Sequence, residues 1–166
     1  MKQKRVFVTC GPSGCGKSSW IRERINKYGG YHISRDMVRF NLLEEGEDYF
    51  SHEDEVFKKF IEQAQLCIDM DEDTPADIYI DATHLFDGSR KKTLKALKNL
   101  NKCYLIGVYF TTPIEICKYR NNLRSGLALV PNEVIDNQFR RYNTNLKGFD
   151  EVWEVNAEGI LVNERR

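Results

Sequence analysis

The sequence has few of the features that would mark a secreted, membrane-bound or unstructured protein. Its 166 residues include only 4 prolines and no excess of either charge, with 25 Lys+Arg against 25 Asp+Glu. Low proline together with 41% hydrophobic and 30% charged residues excludes a collagen-like fibre and argues against disorder. A formal net charge of zero excludes a generalised electrostatic attraction to nucleic acid or anionic membrane. Any bound anion must therefore be held by a local group of residues. The five cysteines, Cys10, Cys15, Cys67, Cys103 and Cys117, contain no C-x-x-C pair and no Cys/His cluster, so neither a disulfide framework nor a zinc site is indicated. Long hydrophobic runs are also missing. After the basic opening Met1-Lys2-Gln3-Lys4-Arg5, only Val6, Phe7 and Val8 precede Thr9 and a glycine-rich stretch, which is too short for a secretion signal or a membrane span. A cytoplasmic protein with no membrane association is the expectation.

What is present is an alternation of short apolar segments with helical periods. Strands are predicted at 6–10, 31–34, 78–81, 104–111 and 152–155, and helices at 17–26, 36–43, 52–70, 89–100, 113–123 and 132–142. The strands are mostly too apolar to have a wet face and should be buried on both sides. In the third helix Val56, Phe57, Phe60, Ile61, Ala64, Cys67 and Ile68 keep to one face. Thr112-Pro113-Ile114-Glu115 predicts an N-cap, a first-turn proline and a capping-box glutamate. A chain of this length buries roughly 70% of its unfolded surface. The expectation is a single α/β domain spanning the whole chain, with a mainly parallel sheet of about five strands flanked by helices. Ligands of such sheets bind beyond the carboxyl ends of the strands.

Gly11-Pro12-Ser13-Gly14-Cys15-Gly16-Lys17-Ser18 fits G-x-x-x-x-G-K-[ST], between a predicted strand and a predicted helix. The glycines let backbone N–H groups and the helix N-terminus wrap a nucleotide's phosphates, with Ser19 following in the first turn. Lys17 would reach the β- and γ-phosphates and Ser18 would ligate Mg²⁺. Cys15 either fills a position that the motif leaves free or acts as an oxidation-sensitive brake.

The phosphate acceptor should face the ends of the later strands. In Ser34-Arg35-Asp36-Met37-Val38-Arg39, Asp36 and Arg39 are three apart at a helix start and share a face. Asp36 would take a hydroxyl proton and Arg39 would hold an anionic group; the plainer alternative is a helix cap beside a solvated arginine. Ile78-Tyr79-Ile80-Asp81 has the form of a Walker B strand whose carboxylate orients Mg²⁺. Thr83 and His84 follow in the same loop, facing either the ligand or the backbone. Arg120 and Arg124 are four apart, next to Gly126, as a lid closing over a phosphoryl group requires; as the alternative, they complement a helix dipole. Arg90, Lys91, Lys92, Lys95 and Lys98 read mostly as a solvated helix face. The stretch Asp69-Met70-Asp71-Glu72-Asp73-Thr74 has Asp73 where an aspartate-nucleophile phosphatase motif needs threonine, and reads as an acidic loop.

The order GPSGCGKSSW, ISRDMVR, IYIDATHL and ICKYRNNLRSGLALVPNEVIDNQFRRY resembles the P-loop kinase module of polynucleotide 5′-hydroxyl kinases, found in phage end-healing enzymes and bacterial RNA-repair proteins. The resemblance runs over roughly residues 5 to 145. It implies a P-loop kinase fold with a helical, arginine-bearing lid at about 120–131. ATP and Mg²⁺ would be held by Lys17, Ser18 and the surrounding loop, and a DNA or RNA 5′-OH end would be the acceptor. Asp36 would then be the general base, Arg39 the contact to the acceptor phosphate and Arg124 the lid arginine, with Arg120 aligned to a second one; apart from the resemblance, Arg35 beside Asp36 would add to the arginines that grip the acceptor. Family members often carry Asn where this chain has His84. Small-molecule kinases share the P-loop and the aspartate after the second strand, so a nucleoside, sugar nucleotide or other metabolite is the alternative acceptor. A nucleotide-dependent switch is the third reading. The length leaves no room for the phosphatase or ligase domains that repair relatives often append, so the chain would act alone, as a homo-oligomer or with partner repair proteins. Zero net charge with three or four local arginines predicts a short acceptor footprint and a shallow salt dependence.

Overall fold

Strand β1 (Arg5–Cys10) lies at the centre because its side chains serve both faces of the sheet. Val6, Val8 and Cys10 enter one apolar cluster and Phe7 the other. The chain continues through α1 (Lys17–Tyr28), β2 (Tyr31–Ser34), α2 (Arg35–Leu42), α3 (Glu53–Asp69), β3 (Ile78–Asp81), α4 (Asp87–Ala96) and β4 (Tyr104–Phe110). It ends with α5 (Ile114–Asn122), α6 (Asn132–Arg141), β5 (Glu151–Val155) and β6 (Leu161–Arg165). The computed structural model describes residues 3–71, 73 and 75–166. The readings placed on Met1, Lys2, Glu72 and Thr74 lie outside the described residues.

The sheet order is β2-β3-β1-β4-β5-β6. The first five strands are mutually parallel and β6 returns antiparallel to β5. The mainly parallel α/β expectation therefore holds, with one strand added. On one face α2 and α3 pack Val38, Val56, Phe60, Ala64 and Ile68 against Val6, Val8, Ile78 and Ile80. On the other, Trp20 and Ile21 of α1 and Ile135 of α6 meet Phe7, Tyr79, Ile106, Val108 and Trp153. The Trp20 ring lies edge-on to Phe7, Tyr79, Phe110 and Trp153, which fixes α1 immediately behind the glycine-rich loop.

Three local expectations are corrected. Thr112 does not cap α5, whose N-cap is Pro113 without a side-chain bond; its buried hydroxyl instead donates to Cys15 O at 2.7 Å. The segment 120–131, expected as a helical lid, is only partly helical. Past Asn122 it is irregular apart from the 3-10 turn Gly126–Ala128, and Asn121 clasps it by bonding both the N–H and the C=O of Val130. Arg90 is not on the solvated face of α4. It is 1% exposed, and its guanidinium donates to the carbonyls of His84, Leu85 and Asn143. Lys91, Lys92, Lys95 and Lys98 are exposed as expected. No helix among the described residues is long and apolar enough to cross a membrane.

Candidate functional site

A crevice of about 1050 Å³ opens where β1, β2 and β3 end. Into it project the loop after β1, the first turn of α2, the end of β3 and the segment after α5.

The glycine-rich loop has the geometry its motif requires. Gly14 and Gly16 have φ of 81° and 102°, a region that costs L-residues strain. A Cβ on Gly14 would lie 2.4 Å from Cys117 O. The loop is held from outside by Thr83, whose carbonyl accepts from Gly11 N–H at 2.8 Å, and by Gln138, which bonds Ser13 N–H and hydroxyl. Lys17 Nζ donates to Gly11 O and Pro12 O at 2.8 and 3.1 Å. Burial lowers the affinity of this amine for its proton, but its bond to Cys15 Sγ and the charges of Asp81 and Asp36 hold its pKa above the ordinary value, so Lys17 is a cation inside the crevice. Cys15 is buried and its thiol is pushed up chiefly by desolvation. A protonated, covered thiol is unreactive, so Cys15 takes the packing role of the two readings.

At the end of β3, Ser18 Oγ donates to Asp81 Oδ2 at 2.7 Å, and His32 Nε2 lies 2.8 Å from the same oxygen. Burial alone would push the Asp81 carboxyl up, but the bonds from His32 and Ser18 and the Lys17 charge hold it below the ordinary range. A hydroxyl and an ionised carboxylate side by side are hard oxygen donors of the kind Mg²⁺ takes. No group of three or more His, Cys, Asp or Glu gathers among the described residues. The donor set therefore fits a Mg²⁺ that completes its shell with phosphate and water.

Across the crevice, Ser34 caps α2 by accepting from Met37 N–H at 3.2 Å, which frees Asp36 from the capping role. Asp36 is 58% exposed and pairs with Arg39, itself 6% exposed, at 2.7 Å. Arg39 also bonds Glu53 through Nε and Nη2, at 2.8 and 2.7 Å, and Arg35 reaches the other Glu53 oxygen at 3.1 Å. Thus Arg35, Asp36 and Arg39 all line the crevice, but both arginines already have carboxylate partners. Thr83 lines it too. Of the two readings of His84, facing the ligand or satisfied by the backbone, the fold takes the second, and the acceptor-side assignment is corrected. His84 is 3% exposed and bonded to Thr9 O and Thr93 Oγ1. A carbonyl only accepts, so Nδ1 carries the hydrogen. Burial lowers the imidazole pKa to about 4, which makes His84 a neutral structural group.

Arg120 and Arg124 both line the crevice. Arg120 leans over Gly16 and donates to Ala157 O at 2.5 Å, tying the lid to the β5–β6 turn. That turn, together with His32, Tyr49, Phe50, Glu53 and Gln138, belongs to the site although no sequence pattern singles these residues out.

Among solved structures, the fold is similar to a gluconokinase from Sinorhizobium meliloti 1021 at 16% identity and TM-score 0.61, covering 95% of this chain and 85% of that one. It is also similar to a fungal RNA kinase at 17% identity and TM-score 0.65, covering 93% of this chain but 38% of that one. A chain of the Pnkp1/Rnl/Hen1 RNA repair complex matches at 16% identity and TM-score 0.68, with 85% of this chain and 44% of that one covered. These likenesses establish a P-loop kinase fold. No curated protein sequence matches the chain. The AAA domain family (AAA_33) matches residues 6–148, and the chain belongs to that family.

Proposed function

We propose that the chain transfers the γ-phosphoryl group of ATP to the 5′-hydroxyl of a DNA or RNA end. The observation that carries this reading is the Asp36–Arg39 pair, 2.7 Å apart, in the same crevice as Lys17 and the Ser18–Asp81 oxygens. A nucleotide switch needs the phosphate loop and the metal oxygens, but a carboxylate at the opposite wall serves an attacking hydroxyl. The loop N–H groups and Lys17 hold the donor phosphates, Asp36 accepts the acceptor's proton, and Arg124 stabilises charge on the phosphoryl group in flight. Ser18 and Asp81 would hold a Mg²⁺ ion, which when bound would supply charge neutralisation for the phosphates. Arg35 and Arg39 orient the acceptor. Two of the structural relatives are described as an RNA kinase and an RNA repair complex, which supports an acceptor of this class.

A second reading keeps the chemistry and makes the acceptor a small metabolite. It is favoured by the gluconokinase, which the chain covers over 85% of its length, and by the pairing of Arg39 with two carboxylates. Radiolabelled ATP with 5′-OH DNA and RNA oligonucleotides, run beside nucleosides and gluconate, separates the two. Label on an oligonucleotide that disappears with Asp36→Ala and Arg124→Ala is expected. Label only on a small molecule would transfer the conclusion to the second reading.

A further inference from the structure

Tyr49 lies in the connection between α2 and α3, where nothing in the sequence marks it. Its hydroxyl donates to Asp36 Oδ1 at 2.8 Å and accepts from Arg39 Nη1 at 2.9 Å. The same Nη1 donates to Asp36 Oδ1 at 2.7 Å, so the three groups close a triangle. Glu53 fixes Arg39 from behind, and the guanidinium stands 4.3 Å from the centroid of the Tyr49 ring. Among the described residues, Asp36 Oδ2 has no hydrogen-bond partner.

A half-exposed aspartate in the first turn of a helix is free to sample several rotamers, and a general base that wanders out of hydrogen-bond reach loses much of its effect. Two donors converging on one oxygen remove that freedom. We infer that Tyr49, backed by Glu53 through Arg39, is a positioning residue that fixes the Asp36 carboxylate, leaving Oδ2 to receive the acceptor's proton. The inference rests on the phosphotransfer reading above. Burial and the adjacent Asp36 charge hold the phenol far above the usual tyrosine range, so it remains a hydrogen-bond donor at neutral pH. In the step itself, the acceptor oxygen bonds to the γ-phosphorus as the bond to the β,γ-bridging oxygen breaks. The electron pair leaves on ADP, and the proton ends on Asp36 Oδ2.

The test is Tyr49→Phe, which keeps the ring over Arg39 and its edge contact with Phe50 but removes the hydroxyl. With ATP and a 5′-OH RNA or DNA oligonucleotide, kcat is expected to fall about tenfold with KM for ATP unchanged. In an Asp36→Asn background the same substitution should cause no further loss, because the hydroxyl then has no carboxylate to position. A merely structural role would lower thermal stability and multiply with the Asp36→Asn deficit. Unchanged kcat in Tyr49→Phe, or losses that multiply in the double variant, would overturn the inference. A wild type that labels no oligonucleotide overturns the functional reading and the inference with it. A wild type that labels one, and is disabled by Asp36→Asn but indifferent to Tyr49→Phe, overturns the inference alone.

Discussion

The two walls of the crevice are built differently. The donor wall is made mainly of backbone and of groups locked in place: glycines at positive φ, a carboxylate held by Ser18 and His32, and a loop pinned by Thr83, Thr112 and Gln138. The acceptor wall is made of side chains from α2 and the connection that follows, with Asp36, Met37 and Phe50 all more than half exposed. Phosphates are common to every nucleotide donor, so a rigid cradle serves all of them. Acceptors differ, and a wall of side chains on a short helix and a connecting loop changes by substitution without disturbing the cradle.

If this contrast is right, damage to the two walls separates cleanly. Asp36→Ala should cut phosphoryl transfer by about 10²- to 10⁴-fold while leaving ATP affinity within about twofold, whereas Lys17→Ala should weaken both; calorimetric titration beside kinetics checks it. Gly14→Ala should be the most destabilising change in the site, costing about 3 kcal/mol because a Cβ there meets Cys117 O at a positive φ, as read by denaturant unfolding.

His84 tests the scaffold beneath both walls. Its folded pKa is depressed to about 4, against about 6.5 in the unfolded chain. The unfolded state therefore binds a proton between these values and the folded state does not. Stability is fully present above about pH 6.5 and is lost as pH falls to about 4, by about 3 kcal/mol in all. His84→Asn should flatten this slope in urea unfolding, with kcat at neutral pH little changed. The smallest effect is that of salt. With Arg35 and Arg39 already paired, log KM for an oligonucleotide should rise with log salt with a slope of only about 1 to 2, and a slope near that of a long backbone binder would show that the acceptor wall extends beyond the crevice.

The difference between the walls also explains what was legible in the sequence. The phosphate loop requires glycine where φ is positive and lysine at a helix start, so chemistry and backbone conformation both leave their mark on adjacent residues. Strand β3 is a buried apolar run ending in Asp81, which is equally local. Tyr49 and Glu53 meet Asp36 and Arg39 only because the connection after α2 folds back, and a glutamate at the start of α3 reads as ordinary helix-dipole compensation. Arg90 was hidden among lysines, since its burial follows from three carbonyls that the fold brings together. Strand β6 is not marked in the sequence because all its residues are exposed and the short apolar start Ile160-Leu161-Val162 gives way at once to Asn163-Glu164-Arg165. His84, read as facing either the ligand or the backbone, turns inward because Thr9 and Thr93 satisfy both ring nitrogens.

The balance of charges over the whole chain takes on a specific meaning in this site. The neutrality of the whole chain is repeated on the acceptor wall, where Arg35 and Arg39 are matched by Glu53 and Asp36. The most direct test of the account is label transfer from ATP to a 5′-OH oligonucleotide by wild type and Asp36→Asn, with ATP affinity measured on the same samples. The account predicts equal affinity and at least a hundredfold loss of transfer. Transfer that survives Asp36→Asn undiminished would contradict it.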